Sequence, residues 1–294
     1  MERGSVATTP PMRHAPRAPV STPTYAVIIV TYQRDAELRR TLEALMHQSV
    51  GRAAMEICVV DNGGAEAVRP DWEDRLDVWI QSRENLGCSG GRNEGARRTT
   101  APILVFVGDD GIPNRAFVES LGEVLERDPD VVAVRGKAVA LEHPILTTMA
   151  AHYDRGPEEQ EDLMTLEGAS AVRRNAWEAA GGYDVTRAFH EGLELSQRLL
   201  ATQPGARMMY TPDAVLEHDF FKGLDHLRAK ARMMAAATNR VKDEADPELE
   251  AIIVRARSYR RHDGRPLWAR IAGAVLGKLY NWLIKLYRWR LRRG

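Results

Sequence analysis

The 294-residue sequence predicts an α/β fold: a central, mostly parallel sheet covered by helices, with a helical extension at its C-terminal end. Three observations carry this expectation. Short apolar runs of strand length alternate with helix-period segments through the first half of the chain. The runs are nearly continuous in their apolarity, as strands buried on both faces are. Polar or glycine-rich residues follow each run, where open α/β sheets bind their ligands.

The first run, YAVIIVTY (25–32), is β-branched and ends in polar residues. From Asp35 to Met46, Leu38, Leu42 and Leu45 recur at helical spacing, with Asp35 as the expected N-cap. MEICVVD (55–61) is a second strand that runs into Asp61-Asn62-Gly63-Gly64, a turn signal. LDVWIQS (76–82) is a third. The glycine-rich NLGCSGGRNEG (85–95) opens a helix reaching about Thr99. Strands at ILVFV (103–107) and VVAVRGKAVA (131–140) flank a helix over 115–127.

The second half is less regular. Residues 141–167 are polar and acidic, are broken at Gly156-Pro157, and read as a long loop or lid. Residues 171–180 read as a helix ended by Gly181-Gly182, and Leu193–Leu200 as another. Two short strands, Met208–Tyr210 and Ala214–Glu217, precede His218, and a helix rich in Ala, Arg and Met extends to about Arg240. The expected organisation is a disordered tail (1–23), a folded domain (24–240), a linker (241–266) and a basic amphipathic helix (267–294).

A formal net charge of zero gives no reason to expect a nucleic-acid partner. Cys58 and Cys88, the only cysteines, form neither a disulfide framework nor a metal site, which fits a reducing cytosol. Residues 1–23 are proline-rich and lack a signal-peptide core, and no run reaches the ~18–20 apolar residues that span a bilayer. The expected location is the cytoplasm. An arginine-heavy basic content points to a GC-rich bacterial genome.

In ILVFVGDDGIP (103–113) a strand ends in two adjacent acids, Asp109 and Asp110, between Gly108 and Gly111. Like charges repel, and partial burial adds a desolvation cost. A hard divalent cation held by oxygen ligands relieves both; the alternative is a solvated turn in which one acid caps the following helix. Thr31 and Asp61 end neighbouring strands, so they share that sheet edge.

The blocks VIIVTYQR (27–34), VVDNGG (59–64), NLGCSGGRNEGAR (85–97), VGDDGIP (107–113), EGASAVRRNAWEAAGGYD (167–184), FHEGLELSQRL (189–199) and YTPDAVLEH (210–218) together resemble family 2 glycosyltransferases of the GT-A fold. The resemblance covers about residues 25–220. It implies a nucleotide-sugar donor, a divalent metal (Mg²⁺ or Mn²⁺) and inversion at the anomeric carbon. It assigns Thr31 and Asp61 to the nucleobase and ribose, Arg34 to closing that pocket, and Arg92 to the donor phosphates. Asp109 is expected at the ribose or metal, Asp110 on the metal and at the chemistry it supports, and His218 as an additional ligand. The acceptor is a saccharide, a lipid-linked molecule or a small molecule.

Two positions depart from the family pattern. Gly108 stands where many members carry an acid. Gly192 stands where they carry the catalytic base, and Glu191 is the nearest replacement, ahead of His190 and Glu194. Glu191 could equally be a helix N-terminal acid stabilised by the dipole. Gly192 also supports a different class of reading, a degenerate relative that binds nucleotide sugar or a partner without transfer. A nucleotidyltransferase would carry its glycine-rich loop after the first strand, and a dinucleotide-dependent oxidoreductase would carry G-x-G-x-x-G there; this chain has Tyr32-Gln33-Arg34-Asp35.

After Asp263 every charged residue is Arg or Lys. Trp268, Ile271, Val275, Leu279, Trp282, Leu286 and Trp289 recur at helical spacing, and Arg270, Lys278, Lys285, Arg288 and Arg292 cluster on another face. The pattern fits a helix lying in an anionic membrane surface, which would be peripheral on the inner face of the plasma membrane. The alternative is a helix whose apolar face packs on the folded domain.

Overall fold

A computed structural model describes residues 22–187, 190–241, 247–258 and 267–291. Strand β1 (Tyr25–Thr31) is flanked by β2 (Met55–Asp61) and β4 (Ile103–Gly108), and β3 (Val78–Gln81) lies beyond β2, all parallel. Helices α1 (Asp35–Met46), α2 (Arg69–Trp72) and α3 (Gly87–Arg98) connect them. Beyond β4 the sheet becomes mixed: β8 (Ala169–Arg173) runs antiparallel between β4 and β6 (Val131–Val139). Then β9 (Arg207–Glu217) pairs parallel with β6, and β5 (Ile112–Pro113) and β7 (Gln160–Glu161) run antiparallel along β9.

Two apolar layers cover the sheet. On one face α1 and α4 (Phe117–Arg127) bury Leu38, Leu42, Leu45, Leu121 and Leu125 against Val27, Ile29 and Val105. Each such fully buried side chain contributes about 1.5–3 kcal/mol of transfer free energy. On the other face α3 lies close to β1. A Cβ at Gly91 would come within 2.5 Å of Val30 Cγ1, and one at Gly95 within 2.5 Å of Ile28 Cγ2. Glycines four residues apart therefore allow helix and strand to touch, which explains the block's composition.

Three segments differ from expectation. Residues 171–173, read as the start of a helix, belong to β8, because pairing with both β4 and β6 outweighs local helix preference; the helix proper is α6 (Arg174–Ala179). The 141–167 segment is structured: α5 (Pro144–Thr147), a 3₁₀ turn (Thr148–Tyr153) and β7. Its Asp162 is fully buried and paired with Arg135 and Arg155. The two short strands before His218 are one, β9, with irregular register against β6.

Helices α7 (Glu191–Leu200) and α8 (Leu224–Val241) follow as expected. The span read as a linker contains α9 (Pro247–Ser258), which buries Ile252 and Ala256 against α7's side of the core. Residues 1–21 and Arg292 lie outside the described residues. Among those described, no helix is long and apolar enough to cross a membrane.

The last helix, α10 (Leu267–Leu291), packs on α8, α5 and the 148–153 turn. Its inward side carries Ala269, Tyr280 edge-on to Phe221 at 5.2 Å, and Tyr287 beneath Arg232 at 5.2 Å. A Cβ on Gly273 would approach the Thr148 carbonyl oxygen to 2.8 Å. Outward stand Trp268 (57% exposed), Ile271, Val275 (60%), Leu279, Trp282 (57%) and Trp289. The apolar face is therefore turned to solvent, and small and aromatic residues on the opposite side make the packing.

Candidate active site

Parallel register sets the site. Thr31 pairs with Asp61, and Val30 with Gly108, so the tips of β1, β2 and β4 end at one level. Asp61 is fully buried, and its carboxylate accepts from the amides of Gly63 (2.8 Å) and Ala65 (3.2 Å). It thus holds the turn over which Gly63 and Gly64 adopt positive φ, 120° and 93°. Thr31 Oγ1 is buried beside Asp109 without a hydrogen bond of standard geometry.

Asp109 and Asp110 follow β4 on a turn clamped from α1, where Thr41 Oγ1 donates to the Asp109 and Gly111 carbonyls. Arg34 reaches both acids through one nitrogen, at 2.9 Å from Asp109 Oδ1 and 2.6 Å from Asp110 Oδ2. His218 Nδ1 stands 3.3 Å from Asp110 Oδ1, and it is buried with no hydrogen bond that satisfies it. Burial raises the Asp109 carboxyl, with Arg34 opposing and Asp110 adding to the rise. Burial would also raise Asp110, but His218, Arg34 and Lys222 outweigh it and hold that carboxyl well below the usual range.

Lys222 was not among the expected site residues. Its Nζ binds Glu37 Oε1 at 2.8 Å and lies 4.0 Å from Asp110 Oδ2. Lys230 extends the cationic wall, with its Nζ 5.4 Å from the Phe221 ring centre, and His226, whose basicity burial and these cations lower, accepts from the Lys222 amide at 3.0 Å. The ring of Phe220 stacks on Tyr153 at 4.7 Å and meets His218 edge-on at 4.5 Å. Asp219 accepts from the amides of Leu141, Glu142 and His143, which pins the 141–143 loop beside His218. No periodic pattern in the sequence marks Lys222, His226 or Lys230 as site residues.

A second cluster forms at the N-terminus of α7. Arg92 lies over the Tyr183 ring at 5.3 Å, in the field of Glu167 and Glu191. Burial raises the Glu191 carboxyl, Glu167 adds to the rise and Arg92 opposes it. The other two candidates at this helix are placed differently. Glu194 makes a bidentate pair with Arg198, both contacts at 2.6 Å, and His190 is an exposed residue in the left-handed region (φ 61°). Gly192 donates its amide to Glu167 Oε1 at 2.9 Å.

A cluster of acids, an imidazole and guanidinium groups at a sheet edge can hold a cation and a polyanion together. The comparisons with known proteins give this site its context. A validoxylamine A glucosyltransferase of Streptomyces hygroscopicus subsp. limoneus is 35% identical over 111 residues, 36% of this chain and 24% of that protein. The chain thus spans about a quarter of that relative's length. A glucosyl-dolichyl phosphate glucuronosyltransferase of Haloferax volcanii is 26% identical over 220 residues, 67% of this chain and 69% of that one. Among solved structures, a mannosyltransferase from Pyrobaculum calidifontis, in complex with GDP-Man and Mn²⁺, superposes with a TM-score of 0.57 at 18% identity, covering 91% of this chain and 84% of its own. That likeness shows a shared fold, the GT-A architecture. Residues 26–174, just over half of the chain, match glycosyl transferase family 2, and the chain belongs to that family.

Proposed function

We propose that the protein is an inverting glycosyltransferase that moves a sugar from a nucleoside-diphosphate donor to an acceptor hydroxyl with help from a divalent cation. The observation that carries this reading is the convergence of Thr31, Asp61, Asp109 and Asp110 at one sheet edge, with His218 against Asp110. The donor and Mn²⁺ held by the Pyrobaculum structure support the same ligand classes here.

Asp109, Asp110 and His218 suit a hard cation: two carboxylates and a buried imidazole nitrogen left without a hydrogen bond. When bound, Mg²⁺ or Mn²⁺ supplies charge neutralisation to the leaving diphosphate. Thr31, Arg34 and Asp61 hold the nucleoside end, and Arg92 faces the phosphates. Glu191 takes the proton of the acceptor hydroxyl as its oxygen attacks the anomeric carbon. The bond from that carbon to the diphosphate oxygen breaks, the oxygen keeps the electron pair, and attack from the opposite side inverts the centre. Burial favours this role, since a carboxylate of raised proton affinity is a stronger base.

The acceptor enters from the 141–167 side, past Phe220 and Phe221. The outward face of α10, apolar with Lys278 and Lys285 beside it, supports contact with an anionic membrane surface and hence a lipid-linked or membrane-proximal acceptor. Such a protein works at the inner face of the plasma membrane.

Thermal-shift screening of nucleotide sugars with and without Mn²⁺ tests the donor reading. A donor at 100 times its dissociation constant should stabilise the fold by ~2.7 kcal/mol. No metal-dependent shift with any donor overturns it. Binding without turnover selects the degenerate reading that Gly192 favours.

A further inference from the structure

The base position of α7 is a glycine, and the space around it is filled from another element. A Cβ on Gly192 would lie 2.1 Å from the Met164 carbonyl oxygen, 2.5 Å from Glu167 Oε1 and 2.7 Å from Glu167 Cγ. No side chain fits there on this backbone. The carboxylate of Glu167 occupies that volume and accepts the Gly192 amide at 2.9 Å.

The segment that carries Glu167 is fixed at both ends. Ser196 Oγ, on α7, accepts from the Met164 amide at 3.0 Å and donates to the Gly192 carbonyl at 2.6 Å. Gly168 O accepts from Gly108 N at 2.9 Å, beside the acids that follow β4. Glu167 thus links the start of α7, at the residue next to Glu191, to the tip of β4.

We propose that Glu167 is the positioning residue for Glu191, delivering from the loop before β8 the carboxylate that α7 cannot carry at 192 and fixing where Glu191 stands in the site. The proposal rests on the reading of Glu191 as base. The groups facing Glu191 are Glu167 from the 164–168 segment, Arg92 from α3 and Tyr183 from the turn after α6; on its own helix Glu194 is paired with Arg198. The Glu167 charge adds to the rise in the Glu191 proton affinity that burial causes, and Arg92 opposes it. A helix cap alone needs only an oxygen at the Gly192 amide. The charge is what a positioning role adds.

The test separates cap from charge. Glu167→Gln keeps an oxygen for the amide and removes the charge. Side-chain carboxyl NMR, with Glu191→Gln to assign the resonance, follows the Glu191 titration in the full chain without substrate. In Glu167→Gln the Glu191 midpoint should move to lower pH, while the Gly192 amide keeps its hydrogen-exchange protection. An unmoved Glu191 midpoint in Glu167→Gln, with the fold intact by circular dichroism, overturns the proposal. Because neither readout uses activity, a failure of Glu191 as base, seen as unchanged turnover in Glu191→Gln, stays distinguishable from a failure of Glu167 as its partner.

Discussion

Arg34 donates to Asp110 at 2.6 Å and, through the same nitrogen, to Asp109 at 2.9 Å. A guanidinium therefore relieves the repulsion between adjacent acids that the sequence poses as a problem. A divalent cation at these carboxylates has to share or displace that contact. Arg34→Gln should raise the affinity for Mn²⁺ alone, measured by calorimetry, and weaken binding of the nucleotide-sugar donor. Unchanged Mn²⁺ affinity would show that the two cations do not compete.

Asp110 lies between Arg34, His218 and Lys222. Replacing it with Asn removes the charge that these cations contact and that a bound metal would share. The donor should then give the same small thermal shift with and without Mn²⁺, and the ~2.7 kcal/mol expected at 100 times the dissociation constant should be lost. An undiminished metal-dependent shift in Asp110→Asn excludes this residue as a ligand.

Glu191→Gln should lower transfer by about 10²–10⁴-fold while leaving donor binding in place. The same change has a signed effect on stability. The native Glu191 carboxyl holds its proton more tightly than an ordinary glutamate, burial being the main cause. The native state is therefore favoured while the group is protonated and loses stability as pH rises from the ordinary glutamate value through the raised one. Glu191→Gln should be more stable than the parent at pH 8 and show no such gain at pH 4 in urea titrations. A gain of equal size at both pH values contradicts the raised proton affinity.

Gly108 and Gly192 both stand where the family resemblance leads one to expect acids, and the structure treats them oppositely. A Cβ at Gly108 meets nothing closer than Asp110 Oδ1 at 3.6 Å, whereas one at Gly192 meets backbone at 2.1 Å. Gly108→Ala should be neutral or stabilising by up to about 0.5–1 kcal/mol, as expected for glycine in a strand. Gly192→Ala should cost about 1–3 kcal/mol or more by overpacking. Urea midpoints of the two variants check both signs.

The outward face of α10 gives a prediction at a surface. Trp282→Glu should reduce co-sedimentation with vesicles containing anionic lipid, and removing residues 267–291 should abolish it. Binding by the parent should also weaken as salt rises, because Debye screening shortens the reach of Lys278 and Lys285. Equal binding of parent and truncated chain rejects the membrane reading. A salt-insensitive dimer, seen by light scattering, would assign the face to a second copy.

Much of the site was legible because parallel strands place chemistry at their tips. Once 25–32, 55–61 and 103–107 are read as neighbouring strands, Thr31, Asp61 and Asp109 must share one edge, and they do. Residues 169–173 were not legible as a strand. Ala-Ser-Ala-Val-Arg continues smoothly into the helical Arg-Asn-Ala-Trp-Glu-Ala, and only the gap between β4 and β6 makes it extended. Lys222 and Glu167 were missed for a related reason. Each reaches the site from a segment without periodicity, and its role depends on which atom it meets across the fold. Asp35 shows the smaller error of boundaries: it opens the first turn of α1, and Arg34 occupies the cap.

With Gly273 seated against Thr148, α10 is braced on the 148–153 turn and is not a free tether. A bilayer holding α10 would therefore also hold that turn at a constant standoff above the headgroups. Reach then becomes a selectivity rule, since hydroxyls carried on too short or too long a stalk would miss the sugar whatever their chemistry.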